Sequence, residues 1–216
     1  SSVFKEDFDF CKKQVTDFAK RQRDSISEFE TEFGEGITLG QKIIPVETVG
    51  CYIPGGKYPL ISAAIMSVAT AKVAGVPYVI GAAPPRNASG IYAPTLYALA
   101  ESGADEIYTI GGVQAFASKA YGRVGMRPVD MITGPGNAYV AEAKRQLFGR
   151  CGIDLLAGPT EVAIIADDSA DPVLVACDLL GQAEHDPNSG IYLVCLSETF
   201  ARDTIAEVEK QLAILP

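Results

Sequence analysis

The sequence has a single histidine, His185, among its 216 residues. A catalytic zinc ion needs about three protein ligands, and histidine, cysteine and carboxylate side chains are those it uses most. No second imidazole is present to act as a general base. The side chains of this chain therefore do not complete a zinc-dependent catalytic site by themselves.

Paired cysteines are also lacking. The five cysteines are odd in number and form no CxxC pair, which argues against a disulfide framework and a zinc ribbon. They are expected to be reduced and mostly buried thiols. An aldehyde dehydrogenase acting through cysteine is disfavoured, because no cysteine lies in a motif that activates a thiolate. The five are Cys11, Cys51, Cys151, Cys177 and Cys195.

Signal, membrane and basic segments are missing as well. The N-terminus shows no charged-then-apolar pattern, and no apolar run approaches the length of a membrane span, so we expect a cytoplasmic protein with no membrane partner. Lys and Arg number 18 against 27 Asp and Glu, a net charge of −9, and no basic run occurs. This balance disfavours nucleic acid and favours a small-molecule partner.

What the chain does contain is enough apolar residues, 48%, to form a core in one large domain or two smaller ones. Between residues 4 and 33, apolar side chains recur every three or four positions in an otherwise charged segment. This spacing predicts one or two amphipathic helices, and thus a helical arm at residues 1–33. The arm lies either on its own domain or on a partner subunit.

Beyond residue 48, short β-branched segments alternate with helical ones. This alternation is typical of βαβ units, so the sequence predicts an α/β fold with parallel strands in one sheet or two. Glycine-rich turns follow several predicted strands, but none is the GxGxxG fingerprint or a P-loop. The predicted strands are 49–53, 78–82, 106–110, 129–133, 162–166 and 191–196, and the predicted helices lie near 60–74, 94–102, 112–121, 137–148, 172–185 and 198–212.

Three of these turns can place a ligand at the carboxyl ends of parallel strands. In the YIPGG segment at 52–56, Tyr52 offers a stacking face with a hydroxyl, beside glycines that let the backbone approach a flat ligand. In GGVQAFA at 111–117, the free N–H groups of a helix start could take a phosphate while Gln114 supplies an amide. In GPGNAYV, Asn137 either caps the next helix, which is the simpler role, or contacts a ligand.

A second set of polar residues follows later in the chain. In the AGPTEV segment, the hydroxyl of Thr160 precedes an apolar strand, as a turn residue or a ligand contact. Asp171 and Pro172 predict a helix start. Gln182 and His185, three apart, share a face of this helix away from its core. They could hold a divalent metal or orient a polar substrate, although Gln is a poor zinc ligand; the alternative is a histidine favoured by the negative helix end.

Together, YIPGG, GGVQAFA, GPGNAYV, AGPTEV and QAEHDP, in this order and at these intervals, closely resemble the histidinol dehydrogenase family from about residue 40 to about residue 196. The resemblance implies a zinc-dependent homodimer that uses NAD to oxidise an amino alcohol, L-histidinol, via histidinal to L-histidine in histidine biosynthesis. It also implies two incomplete Rossmann-like parallel-sheet domains after the arm. The first would combine residues 34–51 with 159–216, and the second, NAD-binding domain would span 52–158.

The resemblance also assigns residue roles. The family's NAD contacts fall on Tyr52, Gln114 and Asn137, and two of its zinc ligands, which also touch substrate, fall on Gln182 and His185. Its substrate-contacting serine is Thr160 here, which keeps the hydroxyl and adds a methyl. The remaining zinc ligands and the catalytic Glu-His dyad would lie beyond Pro216, so no catalytic residue is assigned in this chain. We expect the sequence to be part of a longer protein and inactive alone.

One segment departs from the family pattern. Residues 57–62 read KYPLIS, where histidinol-oxidising members more often have a small Pro-Ser-Ser pattern. This departure leaves open a related dehydrogenase of another small polar alcohol, such as sulfopropanediol. A catalytically inactive fragment that keeps the fold is a further alternative, because one histidine and one glutamine do not complete a zinc site.

Overall fold

A computed structural model describes residues 2–55, 58–156, 160–185 and 189–215. The chain divides into two compact units, Ser1–Leu156 and Ala157–Pro216. Each unit contains parallel strands connected by helices, which confirms the predicted α/β class. Within the described ranges, no helix combines the length and apolar character that crossing a bilayer requires.

Helix α1, Ser2–Asp24, begins the first unit and packs on it. Phe8 is only 4% exposed and belongs to the same core cluster as the sheet. Its ring centroid lies 5.3 Å from that of Tyr97. Of the two alternatives predicted for this helix, the described contacts are with its own unit, while Phe10 and Phe18 remain exposed.

The predicted helical arm is wrong beyond residue 24, because a β-hairpin follows α1. Strand β1, Phe29–Gly34, pairs antiparallel with β2, Ile37–Gln41. Apolar and acidic residues alternate in the FETEF segment, a period of two that suits a strand better than a helix. The turn places Gly36 at φ 72°, and its N–H donates to Glu32 Oε1 at 2.9 Å.

Five parallel strands form the sheet of the first unit, in the order β5-β4-β3-β6-β7. From the central strand β3 the chain proceeds to one side through β4 and β5, then returns to the other side with β6 and β7. Open α/β sheets bind ligands outside the carboxyl ends of their strands at such a reversal, which here lies between β3 and β6. The strands are β3 Thr48–Tyr52, β4 Tyr78–Ala83, β5 Glu106–Thr109, β6 Met131–Thr133 and β7 Gly152–Ile153.

Helices cover both faces of this sheet, as a parallel sheet requires. Val68 and Leu99 belong to the core cluster on one face, and Phe116 and Val140 to the cluster on the other. After α1, the helices of this unit are α2 Ile61–Ala64, which continues through a π-helical segment Ile65–Ala69 into α3 Thr70–Val73, then α4 Ala93–Ser102, α5 Gly112–Tyr121 and α6 Ala138–Leu147.

The predicted boundary at residue 52 needs correction. Strand β3 pairs with β4 on one side and β6 on the other, and all five of its residues are buried. Residues 48–51 therefore belong with the sheet formed by the following segment, not with residues 159–216. The hydrophobic pattern shows where a strand is, but not which of two sheets it joins.

The second unit is a βαβ segment followed by a helix. Strands β8, Val162–Ala166, and β9, Ile191–Cys195, pair in parallel, and α7, Pro172–Ala183, connects them along the chain. Helix α8 spans Glu198–Leu212. The core of this unit centres on Val175, Leu179 and Phe200. As predicted, Asp171 caps α7, since its Oδ1 accepts the N–H of Val173 at 2.9 Å, and Pro172 begins the helix.

Candidate functional site

The loops after β3 and β6 meet at the carboxyl edge of the sheet, where the strand order reverses. Gly134, directly after β6, has φ 125°, a conformation open mainly to glycine. A Cβ at this position would lie 2.1 Å from the carbonyl oxygen of Tyr52. The glycine therefore allows the two loops to pack backbone against backbone.

Tyr52 does not offer the stacking face that the sequence suggested. Its side chain is 5% exposed, and its ring lies in the core, 4.9 Å from that of Phe116 between centroids. The hydroxyl does reach the edge of the sheet, where it accepts the N–H of Gly112 at 3.1 Å. Tyr52 thus joins the end of β3 to the start of α5 through its hydroxyl.

Helix α5 starts directly at this edge, and glycines make its approach possible. A Cβ on Gly111 would lie 2.6 Å from Cβ of Pro84, and Gly112 has φ 59°. Gly111, the N-cap residue, has no side chain to cap α5, and the N–H of Gly112 is bound by the hydroxyl of Tyr52. Gln114, in the first turn, is exposed. The N–H groups of Val113 and Gln114 and the side-chain amide of Gln114 also lie in this first turn, and their binding to an anionic ligand stays a prediction.

Asn137 caps the neighbouring helix α6. Its Oδ1 accepts the N–H groups of Tyr139 at 3.1 Å and Val140 at 3.2 Å. The simpler of its two predicted roles is therefore present in the structure. Because the cap uses only the oxygen, the amide nitrogen of this exposed side chain is the atom that can contact a ligand.

Two buried lysines under these loops were missed by the sequence analysis. Lys119 on α5 donates to the carbonyl oxygen of Cys51 at 2.6 Å, and Lys144 on α6 donates to the carbonyl oxygen of Gly134. Each lies among buried apolar residues of its helix, with Phe116 beside Lys119. A lysine at a core position of an amphipathic helix was the available signal.

Burial changes the acid–base properties of this layer. It lowers the pKa of Lys119 to about 7, and the nearby charge of Lys144 acts in the same direction. It also raises the pKa of the Cys51 thiol. Around neutral pH, the end of β3 is thus held by an amine close to its titration point, beside an uncharged thiol.

The second unit brings together two of the three residues predicted there. The Nε2 of Gln182 donates to the carbonyl oxygen of Thr160 at 3.1 Å and to its hydroxyl at 2.8 Å. A carbonyl oxygen only accepts, so this contact fixes which end of the amide faces Thr160 and leaves Oε1 of Gln182 directed elsewhere.

His185 lies in the turn after α7. It is exposed, and its backbone N–H donates to the carbonyl of Gln182 at 3.2 Å. Among the described residues, no group of three His, Cys, Asp or Glu side chains is placed to hold a metal. Asp186, considered as a further ligand, lies outside the described residues. The two predicted ligands, Gln182 and His185, thus lie three residues apart, and the described residues place no such group of His, Cys, Asp or Glu side chains around them.

The first unit is thus an open parallel α/β sheet with helices on both faces and glycine-rich loops at its carboxyl edge. A family model described as Histidinol dehydrogenase matches residues 1–216. The chain belongs to the histidinol dehydrogenase family, a family of oxidoreductases.

Individual relatives agree with this assignment. The chain is 57% identical to a histidinol dehydrogenase homolog of Shouchella clausii, with 98% of this chain and 50% of the relative covered. It is 46% identical to the sulfopropanediol 3-dehydrogenase of Ruegeria pomeroyi, with 98% and 49% covered. The crystal structure of histidinol dehydrogenase from Elizabethkingia anophelis superposes with a TM-score of 0.88 at 34% identity, covering 100% of this chain and 50% of that one. The chain spans about half the length of these relatives.

Proposed function

We propose that this chain is the NAD-binding part, and half of the zinc-binding part, of a dehydrogenase that oxidises L-histidinol via histidinal to L-histidine. The observation that carries the proposal is the carboxyl edge of the first sheet. There two glycine-dependent loops and the starts of α5 and α6 converge at the reversal of strand order. Parallel α/β sheets bind dinucleotides at this position.

In this proposal, the first unit orients NAD, which would accept the hydride. The start of α5 and the amide of Gln114 would face the pyrophosphate, because the helix dipole and the first-turn N–H groups other than that of Gly112 favour an anion there. The amide nitrogen of Asn137 is a second donor. The close contact of Gly134 with Tyr52 keeps side chains away from the space that the nucleotide needs.

The second unit would supply two donors to zinc, which polarises the alcohol oxygen when bound. Thr160 binds the amide nitrogen of Gln182, so that Oε1 of Gln182 and an imidazole nitrogen of His185 are the two atoms that would act as ligands. An imidazole nitrogen is a common zinc ligand and an amide oxygen a poor one, and the two do not complete the usual set. The remaining ligands and the Glu-His dyad would come from sequence beyond Pro216, and the chain alone would be inactive.

A second candidate is the oxidation of another small polar alcohol, such as sulfopropanediol. The sulfopropanediol 3-dehydrogenase named above and the KYPLIS sequence at 57–62 favour it. NADH formation from each alcohol, by the protein extended to the length of its relatives, distinguishes the two. For either substrate we propose a homodimer, since Phe10 and Phe18 on α1 are 64% and 67% exposed and would be covered by a partner subunit. We propose that this dimer is cytoplasmic.

Asn137→Ser tests the NAD proposal, because serine keeps a capping oxygen but lacks the amide nitrogen. Stability should stay within about 0.5 kcal/mol of the original chain. NAD affinity, measured by calorimetry on the 216-residue chain, should fall about tenfold for the loss of one hydrogen bond to the ligand. Asp171→Ser makes the same kind of cap change in the second unit and should leave the affinity unchanged. Equal NAD affinity in Asn137→Ser and the original chain would reduce Asn137 to a cap.

A further inference from the structure

The loop that follows β6 is fixed by an ion pair between α6 and the end of β7. Lys144 is 3% exposed, and its Nζ lies 2.6 Å from Oδ1 of Asp154. The same ammonium donates to the carbonyl oxygens of Gly134 and, at 3.4 Å, Leu155. All donors of this buried charge are thus aimed at one carboxylate and two loop carbonyls.

Asp154 completes the arrangement from the other side. Its Oδ2 accepts the N–H of Gly134 at 2.9 Å, and its Oδ1 accepts the N–H of Leu155 at 2.8 Å. Both backbone polar groups of Gly134 are therefore bound by the two members of one ion pair. Gly134 is also the residue whose φ of 125° brings the loop after β6 against the end of β3.

The ion pair is only half-buried, since the side chain of Asp154 is 28% exposed, and it is a poor source of stability because removing the ammonium from water offsets much of the attraction. The ion pair does fix the backbone geometry of Gly134. Glycine loses more conformational freedom on folding than any other residue, so holding it in one conformation needs such contacts. The pair constrains the first residue of a loop whose fourth residue, Asn137, is a candidate ligand contact. The ion pair therefore orders this loop and contributes little to the stability of the core.

We propose that Lys144 and Asp154 are positioning residues that hold the loop 134–137 in its ligand-binding conformation before the dinucleotide arrives. The proposal rests on the assignment of this edge as the NAD site. A preorganised loop binds more tightly because its ordering cost is met on folding. Neither side chain needs to touch the ligand.

The opposite edge of the same sheet provides a matched control. The Nζ of Lys72 lies 2.6 Å from Oδ2 of Asp105 and donates to the carbonyl of Pro77 at 3.1 Å. Asp105 in turn accepts the N–H of Val79 at 2.7 Å. The chemistry is the same, a lysine and an aspartate bound to strand-end backbone. It serves the amino end of β4, away from the glycine-rich loops.

The test compares Lys144→Met with Lys72→Met in the 216-residue chain, using calorimetric NAD affinity and amide hydrogen exchange at Gly134, Gly136 and Asn137. Lys144→Met should weaken NAD binding about tenfold and speed exchange in the loop, because preorganisation is lost. Lys72→Met should change neither the NAD affinity nor the exchange in the loop. This difference should hold even if the two variants unfold at the same urea concentration, that is, even if they are equally stable. A Lys144→Met chain with unchanged affinity and unchanged loop exchange overturns the proposal.

Two further outcomes are decisive. If the original chain does not bind NAD, the functional assignment fails, and loop exchange alone decides whether the pair positions the loop. If Lys144→Met does not fold, Asp154→Asn replaces it, since asparagine keeps an oxygen for the Gly134 N–H but removes the charge that fixes Lys144. Faster loop exchange in Asp154→Asn than in the control supports the positioning role, and equal exchange rejects it.

Discussion

The two edges of the first sheet differ in which charged side chains are buried against the ends of its strands. At the amino edge, Asp130 accepts the N–H of Thr48 at 2.8 Å, and Asp105 accepts that of Val79. At the carboxyl edge, Lys119 and Lys144 donate to strand-end carbonyls instead. Each edge also carries the opposite charge, Lys72 at the amino edge and Asp154 at the carboxyl edge, so the sign of the charge alone does not separate the two edges.

Burial separates the two edges more than charge does. Asp130 is exposed, whereas Lys119 is 0% and Lys144 3% exposed. Solvated aspartates satisfy the amino edge at little cost, while burying amines is expensive. The two buried lysines lie at the carboxyl edge, where they hold the end of β3 and the loop after β6 against the sheet. This difference supports the proposed ligand site at the carboxyl edge, independently of any motif.

The largest expected effect is the loss of Lys119. Lys119→Ala leaves a cavity beside Phe116 and removes the buried hydrogen bond to the Cys51 carbonyl, and should lower the free energy of unfolding by about 3–4 kcal/mol. Urea unfolding of the 216-residue chain measures it. The amino-edge counterpart Asp130→Ala should cost about 1–2 kcal/mol, because water can replace an exposed carboxylate. Equal losses in the two variants would contradict the difference between the edges.

A smaller effect is expected from pH. The pKa of Lys119 is about 7 in the folded chain, below the ordinary value of 10.5, so between these values the unfolded chain binds more protons. Stability should therefore rise with pH, by up to about 2 kcal/mol between pH 7 and pH 8.5. This range ends where thiols begin to ionise, which limits the opposing contribution of Cys51.

Lys119→Met is the matched variant for this titration, since it keeps the volume of the side chain and removes the ionisable group. Its stability, from urea unfolding at each pH, should not show the rise. If the original chain and Lys119→Met have parallel pH profiles, Lys119 is not the titrating group. Asp130→Asn, at the other edge, should keep the rise of the original chain.

Local pattern was enough to predict much of this edge. The β-branched segments located β3 to β6, and the glycine-rich loops between strand and helix were expected to lie at the carboxyl ends. The Asn137 cap followed from its position before a helix. Each of these features depends on residues close together in the chain, which is why the sequence alone could predict them.

The remaining features depend on partners distant in sequence. Lys119 meets Cys51 across 68 positions, and the burial of Tyr52 depends on Phe116 in another helix. The membership of β3 in the first sheet depends on its pairing with β4 and β6. The hairpin after α1 was missed because its alternating pattern was too short to override the three-four spacing before it. The roles of Gln182 and His185 remain predictions, since their proposed third ligand lies outside this chain.

The central claim is that the carboxyl edge of the first sheet binds the dinucleotide. Amide chemical shifts recorded during an NAD titration of the uniformly labelled 22.8 kDa chain test it most directly. The account predicts saturable shifts at Gly112, Gly134 and Asn137, with Thr48 and Val79 at the amino edge unchanged. Shifts centred on the amino edge, or none at any of these residues at saturating NAD, would contradict it.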